Sequence, residues 1–312
     1  GDDAHTKFCR NFLGRVLCYA ADLLPQVTTS PQDIDDAMKM GFNWIRGPFE
    51  MMDALGTGVV KHLASEAGCD IPMALDHGPF YTVKNATLMV RNFDGEPTLK
   101  PVQLPEGTQR FSLTRRTLTP LATNRAASLW ALPGDLRLIE FHSKANALTG
   151  ESMDIVAQAA NDHGKGIIIH NDAQHFSAGV DLNRFADFIA RGAWDEMDSF
   201  LNDFQQAVAA LKYCPVPVVG APSGLSLGGG FEVLLHCDKL ITHANSVLGL
   251  VESGVGVVPG GGGVKTTYQR WFEATQDPDV AAWETWMQVG YGKTGESPET
   301  AAKLRYFLND RD

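Results

Sequence analysis

Apolar residues fall at Phe8, Phe12, Val16, Tyr19 and Leu23, three or four positions apart. That spacing predicts a helix over residues 8–24. Ser30-Pro31 supplies an N-cap and a proline at the first helical position, and QDIDDAMKM carries the next helix to a stop at Gly41. RGPFEMMDALG and GVVKHLASEAG start two more, so residues 1 to about 75 are expected to be all helical. The pattern then changes. FYTVKNATLMVRNFDGEPTLKPV carries β-rich runs around a turn signal at Asp94-Gly95. Residues 102–128 are polar and mixed, as in a linker or strap. From about Leu129 short β-branched runs appear: LRLIEF, GIIIH, VPVVGAPS and KLITH, which suit strands buried on both faces. TGESMDIVAQAANDHG, DSFLNDFQQAVAALKYC and GGFEVLLHCD read as the helices between them, so parallel βα units are expected. There is no internal repeat.

Composition narrows the classes. The 312 residues imply two domains or one large one, and 44% hydrophobic content can fill a sizeable core. A net charge of −11 and a pI near 5.2 give no basic footprint for nucleic acid or an anionic membrane surface. A small anionic ligand held by a few local cations stays compatible. Cys9, Cys18, Cys69, Cys214 and Cys237 are odd in number and widely spaced, without a CxxC. Neither a disulfide framework nor a zinc or other metal site is expected, and reduced thiols point to the cytoplasm. No apolar run reaches the ~18 residues of a membrane span, and no signal peptide is visible. The chain begins with Gly1 rather than Met, so a fragment or a tag-cleaved chain is expected.

The chemistry concentrates in three stretches. In SGLSLGGGFEVLLHCD, Gly228, Gly229 and Gly230 lie between an expected strand and helix. A glycine turn there exposes backbone N–H groups at the positive end of the helix, able to hold an anion or a developing oxyanion. Tight strand–helix packing is the plainer explanation for the same glycines. Glu232 follows in an apolar helix and Glu252 in the apolar, glycine-flanked LGLVESGVGVVPGGGG. A first-turn glutamate is usually a helix-dipole partner, but a carboxylate in apolar surroundings costs energy unless paired or functional. Two of them over one pocket could divide acid and base roles. HFSAGVDL, with its Ala-Gly turn, could present a second N–H; His175 is expected to be an ordinary loop residue. GYGKTG fails the phosphate-loop pattern, because its first glycine would fall at Met287, and PGGGGV lacks dinucleotide spacing.

FSAGVDL (176–182), PVPVVGAPSGLSLGGGFEVLLHCD (215–238) and GLVESGVGVVPGGGG (249–263) together resemble the crotonase, or enoyl-CoA hydratase, superfamily over roughly residues 129–275. The resemblance implies a crotonase-like α/β fold, a ββα spiral. It implies an oxyanion hole from the amides of Val180 and Gly229 around the thioester oxygen of an acyl-CoA. It assigns Glu232 to orient and activate water and Glu252 to supply the proton to the α-carbon. It lays coenzyme A, part of the substrate and not a resident cofactor, along SKANAL (143–148), with Ser143, Lys144 and Ala145, and against Ala178, Asp181 and Leu182. Lys144 and Arg184 are candidate phosphate partners. Val251 stands where family members often have proline, and the family usually continues with helices beyond Asp312. Retention of both glutamates favours hydration of a trans-2-enoyl-CoA; an isomerase moving a 3-enoyl double bond and a non-catalytic assembly module are the alternatives.

QDIDDAMKMGFNWIRGPFEMMDALG (32–56) resembles the C-terminal helical domain of L-3-hydroxyacyl-CoA dehydrogenases. The resemblance implies part of a bacterial β-oxidation fusion enzyme whose NAD-binding domain is absent here. The expected division is a helical domain over 1–78, a β-rich strap over 79–128, and an enoyl-CoA hydratase domain over 129–312 that is incomplete at its C-terminus. Expected partners are the acyl-CoA, a homo-oligomer, or the missing dehydrogenase domain.

Overall fold

The computed structural model describes residues 3–312 except 43, 45, 86 and 105. Asn43 and Ile45 of the 32–56 motif, Ala86 of the β-rich run and Pro105 of the strap lie outside the described residues, as do Gly1 and Asp2 of the first expected domain. The chain divides into two compact units, residues 1–117 and 118–312.

The first unit opens with α1 (Ala4–Asp22), capped by the Asp3 carboxylate on the Thr6 N–H. α2 (Pro31–Phe42), α3 (Pro48–Leu55) and α4 (Thr57–Glu66) follow. The helices are where the apolar spacing puts them, but Phe8, Phe12 and Tyr19 are exposed. α1 buries the other face, Gly14, Leu17, Cys18, Ala20 and Ala21, because Gly14 lies directly on the Leu63 carbonyl of α4.

The β-rich run forms an antiparallel sheet of β1 (Tyr81–Lys84), β2 (Thr87–Asn92) and β3 (Thr98–Pro101). It is part of the first unit's core. Phe80 and Phe93 are buried with Leu17, Phe49 and Met52. The Asp53 carboxylate of α3 accepts the N–H groups of Phe80 (2.8 Å) and Tyr81 (2.7 Å), and Asp35 of α2 accepts the Tyr81 hydroxyl at 2.9 Å. These bonds tie β1 to two helices, so the boundary falls after Thr117 rather than near residue 78. A short α5 (Phe111–Thr114) closes the unit.

In the second unit, β4 (Ala122–Thr123), β5 (Ala127–Leu132) and β6 (Leu136–Phe141) pair antiparallel. α6 (Gly150–Asn161) leads to β7 (Gly166–Ile169); α7 (Leu182–Arg191) and α8 (Trp194–Lys212) lead to β8 (Val218–Gly220). β9 (Leu225–Leu227), α9 (Gly229–Leu235) and β10 (Lys239–Leu240) come next, then β11 (Val247–Gly249). α10 (Gly263–Thr275), α11 (Pro278–Gly290), β12 (Thr294–Gly295) and α12 (Pro298–Lys303) complete the unit.

The main sheet runs β10-β8-β7-β6-β5-β4, with β6, β7, β8 and β10 parallel. These four are the β-branched runs read from the sequence. Ile139, Ile167, Ile169 and Val218 pack in one core with Phe176, Phe204 and Phe231. A second, smaller sheet, β12-β11-β9, carries strands too short to show as apolar runs. It holds the chemistry.

Candidate active site

Three backbone strips lie side by side near the small sheet. Leu148 donates to the Gly179 carbonyl at 2.8 Å and its carbonyl accepts from Asp181 at 3.0 Å. Ser177 donates to Leu225 at 3.0 Å and accepts from Leu227 at 3.1 Å. β9 in turn pairs with β11 in parallel register. The sheet hydrogen bonding therefore brings 145–148, 177–181 and 225–229 together across large gaps in sequence.

Both turns between these strips require glycine. Gly179 has φ +99°, and Gly228, which precedes α9, has φ +52°. A side chain at either would be strained. The turns bring Val180 and Gly229 face to face: a Cβ on Gly229 would sit 3.5 Å from the Val180 nitrogen and 2.6 Å from its Cγ2. Among the described residues neither amide finds an acceptor. Two free N–H groups of adjacent turns thus share one place, the arrangement that stabilises an oxyanion.

All seven residues of α9 are buried, Glu232 among them at 2% exposure. Its Oε1 accepts the N–H groups of Gly261 and Gly263, each at 2.8 Å. Burial outweighs those two bonds and pushes the carboxyl up to about 7, with the Glu252 charge adding to the rise. Glu252 opens the 3₁₀ turn Glu252–Val255 after β11. Its Oε1 lies 3.2 Å from where a Gly228 Cβ would be, beside the oxyanion turn. Its Oε2 is shielded from solvent and has no hydrogen-bond partner among the described residues. Burial raises this carboxyl too. His236, one helical turn beyond Glu232, hydrogen-bonds the Glu232 carbonyl through Nδ1, and burial lowers it to about 4. It is a neutral structural group near pH 7.

The expected residues sort as follows. Val180, Gly229, Glu232 and Glu252 converge. Ser143, Lys144 and Ala145 flank the strip beside Ala178, Asp181 and Leu182; Ala178 donates to the Ala145 carbonyl at 3.2 Å. The Ser143 hydroxyl is engaged by the Ala147 carbonyl at 2.6 Å, and Asp181 caps α7 on the Asn183 N–H. Lys144 is exposed, and Arg184 lies over the Phe188 ring, 5.3 Å from its centre. His175 is structural: its Nδ1 takes the Leu225 N–H at 3.2 Å. The sequence reading missed Gly261 and Gly263. PGGGGV reads as a failed nucleotide motif and as part of the family resemblance, with no role toward Glu232, yet its amides hold the Glu232 carboxylate; a glycine run twenty-nine residues past a buried acid was the available signal.

No helix among the described residues is long and apolar enough to cross a membrane. Residues 136–272 match the enoyl-CoA hydratase/isomerase family, and residues 9–85 match the 3-hydroxyacyl-CoA dehydrogenase C-terminal domain. A Bacillus subtilis protein described as a 3-hydroxyacyl-CoA dehydrogenase is 32% identical over all of this chain and 40% of its own length. A Rickettsia felis protein described as a fatty acid oxidation complex trifunctional enzyme is 27% identical over 86% of this chain and 35% of its own. The chain therefore spans well under half the length of these relatives. Among solved structures, a Thermobifida fusca protein described as an enoyl-CoA hydratase, in complex with acetoacetyl-CoA, covers 59% of this chain and 72% of its own at a TM-score of 0.50 and 21% identity, a likeness of fold.

Proposed function

Because residues 136–272 match the enoyl-CoA hydratase/isomerase family and residues 9–85 the 3-hydroxyacyl-CoA dehydrogenase C-terminal domain, we propose that this chain is a member of that hydratase/isomerase family and hydrates trans-2-enoyl-CoA to 3-hydroxyacyl-CoA in fatty-acid β-oxidation. It would do so as one part of a hydratase–dehydrogenase fusion. The observation that carries this reading is the pair of buried carboxylates, Glu232 and Glu252, beside two free amides.

The thioester oxygen accepts from Val180 and Gly229, which stabilise the enolate as it forms. Water adds to the β-carbon while Glu232, with one oxygen fixed by Gly261 and Gly263, takes its proton. Glu252 gives a proton to the α-carbon as the enolate collapses. Burial raises the proton affinity of both carboxyls, so the division into base and donor follows the family resemblance. The two carboxyls exchange roles in the reverse reaction, and the chemistry calls for no resident cofactor; NAD would serve only a dehydrogenase domain. Coenzyme A would lie along 143–148 and against Ala178, Asp181 and Leu182.

A second reading has its own support. Glu252 keeps a buried carboxylate oxygen with no hydrogen-bond partner among the described residues, and one proton-shuttling acid suffices to move a 3-enoyl double bond. Crotonyl-CoA separates the two, because only hydration adds the mass of water and removes the enoyl absorbance. We expect loss of that absorbance, and a fall of about 10²–10⁴-fold in rate for Glu252→Gln with acyl-CoA binding kept. A fully active Glu252→Gln, or a product isomeric with its substrate, would overturn the hydratase mechanism.

A further inference from the structure

Phe204 of α8 is buried at 2% exposure, and the proposed proton transfers do not use it. Its ring meets both halves of the site. Its Cζ lies 3.4 Å from where a Gly229 Cβ would stand, a point 3.5 Å from the Val180 nitrogen. Its Cδ1 and the Glu232 Oε2 each lie 2.8 Å from where a Gly261 Cβ would stand. One aromatic side chain thus spans from the oxyanion turn to the general base.

The same side chain lines a cleft of about 490 Å³ between α6 and α8. Met153, Ala157, Phe200 and Ala207 share that lining, so its inner wall accepts hydrocarbon. Asp154 and Asp203 stand at it as well and disfavour an anionic guest. Neither glutamate of the site reaches the cleft. Phe204 touches both the glycine turns of the site and the cleft.

We propose that Phe204 is a specificity-determining residue: it ends the acyl pocket short of the α6–α8 cleft and restricts this chain to short enoyl-CoA substrates. The proposal rests on the acyl-CoA reading above. Removing the ring joins the pocket to the cleft and lets a longer chain pass between the helices. Flexibility of α8 is not required, because the ring alone stands at the boundary.

The experiment compares trans-2-butenoyl-CoA with trans-2-decenoyl-CoA as substrates of the chain, of Phe204→Ala and of Phe204→Leu. Binding of the saturated butanoyl- and decanoyl-CoA is measured in parallel by calorimetry. The parent should favour the four-carbon substrate in kcat/KM by about tenfold or more, the discrimination a hydrophobic wall supplies. Phe204→Ala should abolish or invert that preference in both turnover and binding. Phe204→Leu, which keeps bulk in the core, should fall between them and covers the case that the alanine variant does not fold. A parallel loss for both chain lengths would show a structural role and overturn the proposal, as would a parent that prefers the longer chain. Hydration with an unshifted ratio sinks the wall alone. A shifted binding ratio without any hydration sinks the hydratase reading and leaves the wall standing. No binding of either ester sinks both.

Discussion

Burial of Glu232 makes folding stability depend on pH, and the sign of that dependence follows from the direction of its shift. The carboxyl titrates near 4.5 when unburied and near 7 in the fold, raised mainly by burial. Below pH 4 both states hold the proton and the acid costs folding nothing. Between those values the folded chain keeps a proton that the unfolded chain releases, so stability falls as pH rises and levels off above 7. Glutamine stays neutral throughout, and its carbonyl can still accept from Gly261 and Gly263. Glu232→Gln should therefore be more stable than the parent at pH 8, by at most about 3 kcal/mol, and equal to it at pH 4. Urea unfolding at the two pH values reads the difference. A variant less stable at pH 8 would mean that the two amides hold the charge more strongly than burial penalises it. The glutamates themselves were legible because a carboxylate among Val233, Leu234 and Leu235 needs a reason. The cradle of Glu232 was not, since it is made of amides that every residue possesses, and only the fold decides which of them point inward.

At the scale of elements, α1 shows what apolar spacing can and cannot say. Phe8, Phe12 and Tyr19 mark a helix correctly but lie on its exposed side. The buried side is chosen by closeness of approach: a Cβ on Gly14 would stand 2.8 Å from the Leu63 carbonyl carbon and 3.2 Å from the Ala67 Cβ. Small residues let α1 and α4 meet backbone to backbone, and large ones are kept outside. Gly14→Ala should then destabilise the first unit by about 1–3 kcal/mol through overpacking, despite the better helix propensity of alanine. Phe12→Ser, at the position that looks most apolar in sequence, should change stability by no more than about 0.5 kcal/mol. Thermal unfolding of both variants checks the order, and the reverse order would mean that the aromatic stripe is covered in solution. The β-branched strands of the main sheet were legible for the opposite reason: they are buried on both faces, so no choice of face arises. β9, β11 and β12 contribute two or three residues each and are fixed by pairing across the fold rather than by local pattern.

For the whole molecule, the division at Thr117 and Leu118 separates two hydrophobic cores with no residue in common. Val180, Gly229, Glu232 and Glu252, the cradle of Gly261 and Gly263, and the 143–148 strip all belong to the second unit. The first unit supplies none of them. Its Asp35, pushed up to about 6 by burial, binds the amides of Phe49 and Glu50 at the start of α3, a structural task. If catalysis resides where these groups converge, residues 118–312 expressed alone should consume crotonyl-CoA at the same rate per site as the full chain. Its urea transition should match one of two resolved transitions in that chain, because separate cores need not melt together. A folded 118–312 without activity, beside an active full chain, would mean that hydration requires residues 1–117. The first unit would then be a contributor to hydration, and the six residues that converge in the second unit would not suffice for it.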